Sequence, residues 1–374
     1  MSIIKEYLEE HQEEMLADLH TLVTAESPSN QKELVDHCGQ TLQIMAKQLI
    51  GGDLEVFEQA ERGDHFKVTV GNGDKRVLVC AHFDTVWDKG RLPIKIVENK
   101  FFGPGAIDMK GGIIQSLWAV NALKEKNEFP DIELVFLFTS DEELGSQKSK
   151  KLIEQEAQNS DIVFITEPPV AKTGDLKTAR KGVGIYNLEV YGKASHAGNH
   201  HEDGHSAVYE LAHQIINLEK LTNYEVGTTV NVGVVSGGTK RNVVPDYAEA
   251  LIDFRVKTVE EADRIVQTLE SLKPVTDNVK LKITGELNRP PMVKSESTQE
   301  LFNKAQEAGR EVGLHIGEKL VGGGSDGNFT AILGVPTLDG LGALGEGPHA
   351  ENEHIIVDEL PKRAAMFAHL LKKI

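Results

Sequence analysis

The sequence predicts an α/β fold with a second, smaller α+β domain, and three observations support this prediction. A chain of 374 residues exceeds the usual size of a single domain. Short apolar runs alternate with helical segments, which is typical of a mostly parallel central sheet flanked by helices; the runs lie at 76–82, 131–138 and 161–165. Residues 182–284 then follow the order strand, helix, strand, strand, helix, strand, which is the ferredoxin-like pattern.

The domain bounds follow from changes in this pattern. Regular alternation of apolar and polar residues, typical of a half-exposed strand, begins after Lys181. The pair Pro290-Pro291 marks the point at which the chain returns to the larger domain. We therefore expect a large domain formed by residues 1–180 and 291–374, with residues 181–290 inserted into it as a separate domain.

Periodicity and turn signals predict the remaining elements. Two amphipathic helices are expected within residues 2–49, with a break at 27–30, and residues 54–70 have strand character. Further helices are expected at 112–126, 206–218, 259–272, 298–312 and from 358 onward. Further strands are expected at 182–191, 228–235, 248–256, 279–284 and 335–338.

Charge and composition exclude several classes of partner. The formal net charge is −18 and the isoelectric point is about 5.3, which disfavours binding to nucleic acid or to an anionic membrane. The first eighteen residues lack the apolar core of a signal peptide, and no apolar run is long enough to span a bilayer. Cys80 lies within an apolar run, which favours a buried free thiol over a disulfide. We expect a cytoplasmic protein with neither a nucleic-acid nor a membrane partner.

Acidic residues and a histidine follow the apolar runs, at the strand ends where α/β proteins place their sites. His82 ends the first run, the adjacent Glu142 and Glu143 follow the second, and Glu167 follows the third. Asp84 lies two residues after His82, so both side chains point the same way from an extended chain, and Asp84 could orient the imidazole ring.

Two loops add further candidate ligands to these strand ends. Asp108 lies in a glycine-rich loop that opens a helix, and His349 lies in a loop near residue 350. Two imidazoles and three carboxylates suffice for two zinc ions if one carboxylate bridges them. Glu142 is then left over as a general base.

Seven motifs, in order along the chain, resemble the signatures of the dizinc peptidase family. They are HFDTV at 82–86, GAIDMKGG at 105–112, DEELG at 141–145, TEP at 166–168, ASHAG at 194–198, NVVP at 242–245 and GGGSD at 322–326. That family contains glutamate carboxypeptidases, aminoacylases, acetylornithine deacetylase and succinyl-diaminopimelate desuccinylase. The resemblance is strongest to the bacterial glutamate carboxypeptidases. It implies a zinc-peptidase-like catalytic domain with an inserted lid and dimerisation domain.

The resemblance also implies roles for individual residues. His82 and Glu167 would hold one zinc ion, Glu143 and His349 the other, and Asp108 would bridge them. Glu142 would be the general base and Asp84 would orient His82. The family uses two Zn²⁺ per chain, and Co²⁺ or Mn²⁺ is a possible substitute. Met109 departs from the family pattern, in which an acid or Asn usually follows the bridging Asp.

The inserted domain would supply the contacts to substrate. By resemblance, His196, Asn242 and Arg255 would contact the substrate carbonyl and carboxylate. Arg289 of the inserted domain would also bind substrate, as would Gly324, which lies in the predicted large domain. Related proteins form homodimers through this domain, and some deliver the histidine into the active site of the partner. We therefore expect a homodimer.

The predicted function is hydrolysis of an amide bond next to a free carboxylate, by metal-activated water, in a small peptide or N-acyl amino acid. The alternative is an N-acyl amino acid deacylase of the acetylornithine deacetylase or desuccinylase type. A remote alternative is a nucleotide-binding oxidoreductase, because residues 340–345 match G-x-G-x-x-G after a predicted strand. The next residues are Glu346-Gly347-Pro348, however, and these do not favour the helix that such a motif requires. A metal-free binding module is disfavoured because none of the five ligands is missing.

Overall fold

The computed structural model describes residues 2–374, so Met1 of the predicted large domain lies outside the described range. The chain divides into two compact units. The first unit comprises residues 2–179, Lys294–Leu320 and Ser325–Ile374. The second unit comprises Arg180–Val293 and Val321–Gly324. Val321–Gly324 was expected in the large domain, but it belongs to the second unit. There the Lys181 amide donates a 3.0 Å hydrogen bond to the Val321 carbonyl oxygen.

The helices are numbered here in chain order. They are α1 (Ile3–Glu10), α2 (Gln12–Thr24), α3 (Lys32–Leu49), α4 (Gly111–Glu125), α5 (Lys150–Gln158), α6 (Ala207–Glu219), α7 (Val259–Glu270), α8 (Glu296–Glu311), α9 (Gly327–Ile332) and α10 (Leu360–Leu371). Residues 2–49 form three helices where two were expected, because His11 leaves the helical conformation (φ −104°, ψ 21°) between α1 and α2. Within residues 2–374, no helix has the combination of length and apolar character needed to cross a bilayer.

The strands are also numbered in chain order. They are β1 (Asp53–Phe57), β2 (His65–Val70), β3 (Lys75–His82), β4 (Lys95–Val97), β5 (Lys100–Phe102), β6 (Ile132–Thr139), β7 (Ile162–Ile165), β8 (Leu176–Arg180), β9 (Gly182–Tyr191), β10 (Ser195–His196), β11 (Thr229–Gly237), β12 (Val243–Val244), β13 (Tyr247–Val256), β14 (Lys280–Arg289), β15 (Glu318–Val321), β16 (Thr337–Leu338), β17 (Gly345–Glu346) and β18 (His354–Ile356). Small accessory sheets pair β15 with β8, β10 with β12, and β17, β18, β5 and β4 in that order.

A mixed six-stranded sheet forms the centre of the first unit, which confirms the predicted α/β fold. Its strand order is β1-β2-β6-β3-β7-β16. Strands β6, β3, β7 and β16 run parallel to one another. Strand β2 is antiparallel to both of its neighbours, β1 and β6. The region predicted as one strand at 54–70 is therefore an antiparallel pair, β1 and β2. The sheet is mostly parallel, as predicted, and its parallel strands carry the candidate ligands.

Both faces of the central sheet are buried, and this explains why the sequence of β3 is a continuous apolar run. Val77, Val79 and Ala81 pack into a large core shared with the N-terminal helices, α4, α8 and α10. Leu78 and Cys80 point the other way, into a smaller core with residues of α5 and α9. Successive residues of a strand face opposite sides, so burial on both sides requires apolar residues at every position. Cys38 and Cys80 are both buried free thiols.

The second unit contains a four-stranded antiparallel sheet in the order β11-β13-β9-β14. Helices α6 and α7 pack on this sheet and share its apolar core. With α6 following β9 and α7 following β13, this is the ferredoxin-like arrangement. Strand β14 continues to Arg289 rather than ending at the predicted residue 284. Strand β11 forms one edge of the sheet.

Candidate metal centre

Three neighbouring parallel strands bring candidate ligands to one edge of the central sheet. His82 is the last residue of β3 and pairs with Thr139, the last residue of β6. Glu142 and Glu143 follow β6 in a short turn at 142–144, which ends at Gly145 with a φ of 87°. Glu167 lies two residues after β7, whose last residue pairs with Cys80 of β3. Parallel strands place their carboxyl ends at the same edge, so these side chains converge there.

The Asp108 carboxylate lies between the two predicted histidine ligands. Its Oδ1 atom is 3.2 Å from His82 Nε2, and its Oδ2 atom is 3.3 Å from His349 Nε2. His82 Nε2 is also 3.4 Å from Glu167 Oε1, and His349 Nε2 is 3.0 Å from Glu143 Oε2. Two histidine–carboxylate pairs therefore share Asp108, and the five predicted ligands form one cluster.

The donor atoms of this cluster fit divalent metal ions. Ligand atoms of His82, Asp108 and Glu143 lie within 4.8 Å of one another, and so do those of His82, Glu142 and Glu167. Imidazole nitrogens with carboxylate oxygens suit zinc and similar first-row cations. Distance alone does not separate Glu142 from the ligands, because Glu142 is a further carboxylate at the same cluster.

The electrostatics of the cluster also favour bound cations. Burial raises the pKa of Glu143 to about 8, and the negative charge of Asp108 adds to this effect. Hydrogen bonds to Asp108 and Glu143 raise the pKa of His349 to about 11. Carboxylates crowded together in a buried region require compensating positive charge, which divalent ions provide.

Asp84 contacts both His82 and the glutamate pair of the cluster. Its backbone carbonyl oxygen lies 3.1 Å from His82 Nδ1, closer than its Oδ1 atom at 3.5 Å. A carbonyl only accepts, so Nδ1 donates the proton and Nε2 keeps its lone pair for a metal. The Asp84 carboxylate instead accepts the N–H groups of Glu142 at 3.2 Å and Glu143 at 3.3 Å. Asp84 thus orients His82 mainly through its backbone and fixes the glutamate pair through its side chain.

Glu353 is a buried residue of the site that sequence reasoning missed. Its Oε1 atom accepts the N–H groups of Ile107 at 3.1 Å and Asp108 at 3.3 Å, while Trp87 Nε1 donates to Oε2 at 2.5 Å. Burial raises the pKa of Glu353 to about 7. Glu353 fixes the loop that carries Asp108, in which the Asp108–Met109 peptide is cis. The sequence shows two acids shortly after His349, Glu351 and Glu353, and no pattern indicates which is buried.

The glycine motif at 340–345 positions Glu167. The Gly342 amide donates to the Glu167 carbonyl oxygen at 2.9 Å, and a Cβ atom on Gly342 would lie 2.2 Å from the Thr166 carbonyl oxygen. The buried Arg363 holds the motif by donating to the carbonyl oxygens of Gly342 and Gly340. The motif leads into β17 rather than a helix. A nucleotide site of the G-x-G-x-x-G type requires a helix at that point, so the oxidoreductase alternative lacks support.

Two of the predicted substrate residues lie side by side in the second unit. His196 of β10 pairs with Val243 of β12, and the Ala197 amide donates to the Asn242 carbonyl oxygen at 3.0 Å. The amides of Gly198 and Asn199 both donate to His196 Nδ1 at 3.1 Å. Because Nδ1 accepts, the proton of the neutral ring resides on Nε2. His196 is exposed and therefore presents an N–H donor at the surface of this unit.

The predicted arginines of the second unit have different surroundings. Arg255 of β13 makes a bidentate ion pair with Asp253, with Nε and Nη2 each 2.8 Å from a carboxylate oxygen. Arg289 is buried, and its Nη1 atom donates to Asn288 Oδ1 at 2.8 Å. A Cβ atom on Gly324 would lie 2.7 Å from Arg289 Cδ. The structure thus brings Arg289 and Gly324 together, as it does His196 and Asn242.

Comparison with known proteins identifies the family. Residues 78–373 match the model of the peptidase family M20/M25/M40. The chain belongs to this family. Its relatives include carboxypeptidase G2 from Pseudomonas sp. (strain RS-16), which is 31% identical over 308 residues, or 80% of this chain and 74% of the relative.

A second relative and a solved structure extend this comparison. Succinyl-diaminopimelate desuccinylase from Dechloromonas aromatica (strain RCB) is 27% identical over 328 residues, covering 84% of this chain and 85% of that protein. The M20 family metallo-carboxypeptidase Sso-CP2 from Sulfolobus solfataricus superposes with a TM-score of 0.75 at 20% identity. That match covers 96% of this chain and 98% of the solved chain, so the M20 chains share one fold. This M20 member is accordingly a metallohydrolase.

Proposed function

We propose that this M20 protein is a dizinc hydrolase that cleaves an amide bond next to a free carboxylate, in the manner of a glutamate carboxypeptidase. The observation that carries the proposal is the Asp108 carboxylate, shared between His82 and His349, with Glu142 beside the same cluster. The relationship to carboxypeptidase G2 supports a carboxypeptidase activity. The substrate class is a small peptide or an N-acyl amino acid.

In this proposal His82 and Glu167 would hold one zinc ion, Glu143 and His349 would hold the other, and Asp108 would be shared by both. Co²⁺ or Mn²⁺ could replace zinc, since the same nitrogen and oxygen donors bind them. The ions, when bound, lower the pKa of water to about 7 and polarise the substrate carbonyl group. One histidine–carboxylate contact lies on each side of Asp108, His82 with Glu167 and His349 with Glu143. These two contacts support this division of the ligands.

The residues of the chain supply the proton transfers and the hydrogen bonds. Glu142 accepts the proton of the attacking water and passes it to the leaving amine. Asp84 keeps Glu142 in place by accepting its backbone N–H. His196 donates its Nε2–H to the oxygen that becomes negative in the transition state. The Nδ1 contacts of His196 support this role, since they leave the proton on Nε2.

Metal analysis tests the cofactor assignment. We expect about two divalent ions per chain after reconstitution with zinc, because the five ligands provide two sites that share one carboxylate. Elemental analysis of the dialysed protein measures this ratio, and activity after prolonged chelation should be lost and then restored by added zinc. Activity that survives complete metal removal would contradict the proposal.

Arg255 is the proposed anchor for the free carboxylate of the substrate. Asp253 occupies the Nε–Nη2 edge of its guanidinium. A substrate carboxylate would therefore bind to the Nη1–Nη2 edge. Asp253 would hold the planar guanidinium group in the orientation that a bidentate contact requires. A lysine offers no planar fork, so it cannot reproduce a bidentate contact.

Replacing Arg255 with Lys should raise KM for free-acid substrates by about 10-fold or more, since part of a charge-assisted bidentate contact is lost. Steady-state kinetics with an N-acyl glutamate dipeptide measures this change. Arg264 is a matched control, because it makes the same bidentate pair with Glu261 on α7; Arg264→Lys should leave KM unchanged. If wild type cleaves the C-terminally amidated substrate equally well, the carboxypeptidase assignment is wrong.

The alternative function is an N-acyl amino acid deacylase, which would use the same ligands and the same base. The relationship to succinyl-diaminopimelate desuccinylase supports this alternative. Comparing kcat/KM for an N-acyl glutamate dipeptide with kcat/KM for N-acetylornithine and N-succinyl-diaminopimelate separates the two functions.

We also propose that the protein is a homodimer formed through the second unit. The edge strand β11 exposes Val234 and Val235, and α6 exposes Tyr209 and Ile216. An open sheet edge next to apolar side chains is suited to pairing with a second copy, and closed two-fold dimers are the commonest assembly. The expectation of a cytoplasmic location remains a prediction.

A further inference from the structure

His65 is a buried histidine that lies behind the glutamate turn and has no role in the mechanism above. It is the first residue of β2 and has no exposed surface. Its Nδ1 atom is 3.2 Å from the Ser140 amide nitrogen and 2.9 Å from Ser140 Oγ. Its Nε2 atom faces Asp141 Oδ1 at 4.0 Å. Within residues 2–374 neither of these two facing atoms has a hydrogen-bond partner.

These contacts select one tautomer of the His65 ring. The Ser140 amide can only donate, so Nδ1 acts as the acceptor and the ring proton resides on Nε2. Nε2–H is then the donor nearest to the Asp141 carboxylate, whose Oδ1 atom lies 4.0 Å from Nε2, and Asp141 is itself fully buried. A buried carboxylate oxygen that has no other partner is strongly attracted to such a donor, because the local dielectric is low.

Asp141 connects His65 to the residues that carry the chemistry. Its Oδ2 atom accepts the N–H groups of Lys148 at 2.6 Å and Ser149 at 3.4 Å. Its carbonyl oxygen accepts the N–H groups of Leu144 at 3.2 Å and Ser146 at 2.9 Å. Asp141 therefore closes the turn that begins with Glu142. A shift of the Asp141 backbone would move both glutamates, because they follow it directly in the chain and its carbonyl oxygen closes their turn.

We propose that His65 is a positioning residue for the glutamate turn, acting through Nε2–H and the Asp141 carboxylate. His65 sets the orientation of Asp141, and Asp141 fixes the directions of the Glu142 and Glu143 side chains. The inference rests on the proposed function, in which these two glutamates are the base and a metal ligand.

Two substitutions of His65 separate this role from simple packing. Asn places its amide near the position of Nδ1, whereas Gln extends its amide to the position of Nε2. We expect His65→Asn to lower kcat by about 10-fold with little change in KM, as is typical when a partner of an active-site group is lost. His65→Gln should restore most of that loss, because it returns a donor to Asp141.

The control is His369, another buried histidine, whose ring contacts Ser2 and Glu311 rather than the turn. His369→Asn should leave kcat unchanged. The double variant His65→Asn with Asp141→Asn should be no worse than Asp141→Asn alone, since the two residues act in series. Equal losses in the Asn and Gln variants of His65, or no loss in either, would overturn the proposal.

A second measurement does not depend on activity. Long-range proton–nitrogen correlation spectra of histidine-labelled protein report which ring nitrogen carries the proton, and His65→Gln identifies the His65 signals by their disappearance. We expect Nε2 to be protonated and Nδ1 to be bare at neutral pH. Protonation of Nδ1 alone would overturn the inference even in an active enzyme. An inactive wild-type protein with the expected tautomer would instead count against the proposed function.

Discussion

Replacing Glu142 with Gln should reduce kcat by about 10³-fold while both metal ions remain bound. A glutamine amide occupies the same space but cannot accept the proton of the attacking water, and general-base contributions reach this size. The fold should also be retained, because the turn is fixed by backbone contacts to Asp84 and Asp141 that do not involve the Glu142 carboxylate. Steady-state kinetics and elemental analysis of the same preparation measure the two effects together.

Glu143→Gln is the matched comparison, since Glu143 is the adjacent residue in the same turn. Its carboxylate is 3.0 Å from His349 Nε2, so the amide should weaken the metal site that these two residues share. Metal content should fall in the Glu143 variant and remain complete in the Glu142 variant. Identical metal content in both variants would show that the division of the pair into base and ligand is wrong.

His196→Ala should be nearly inactive, and mixing it with Glu142→Gln should restore activity. If His196 acts in the active site of the partner subunit, each mixed dimer contains one site with both Glu142 and His196 intact. Verified heterodimers should then reach up to about half of the wild-type activity, since one of the two sites of a two-fold dimer works. The homodimers of each variant, prepared in parallel, provide the background.

The controls for this experiment concern assembly. Co-purification through two different affinity tags establishes that the sample contains heterodimers, and analytical ultracentrifugation establishes their size. Heterodimers that show no recovery would place His196 in the active site of its own chain or outside catalysis altogether. A protein that is monomeric at assay concentration would contradict the dimer proposal directly.

The ends of strands β3, β6 and β7 could be located from the sequence, because the signal of an apolar run is local. The apolar runs of β3, β6 and β7 are continuous, since both faces of these strands are buried. Parallel pairing of such runs places His82, Glu143 and Glu167 at one edge. The antiparallel β1–β2 pair was missed because residues 54–70 were interpreted as one strand, although the polar segment 58–64, which ends in Gly63-Asp64, separates the two strands.

Residues that act through distant contacts escaped prediction. Glu353 holds the amides of Ile107 and Asp108, which are far away in sequence. His65 faces Asp141 across the boundary between β2 and β6. Val321–Gly324 joins the second unit through contacts with Arg180 and Lys181. None of these contacts leaves a periodicity or a spacing in the chain, so a single sequence carries no sign of them.

The residues of the candidate metal centre are far apart in the sequence, and this has a consequence for biosynthesis. They extend from His82 to His349, with Asp108 between two histidines from opposite parts of the chain. During translation the first pair of ligands emerges long before the last histidine, and the whole second unit is made in between. A domain dominated by such non-local contacts folds slowly. On the proposed ligand assignment, the two-metal centre can be completed only after His349 has been synthesised, because the partner of Glu143 in the second site is the last ligand to emerge.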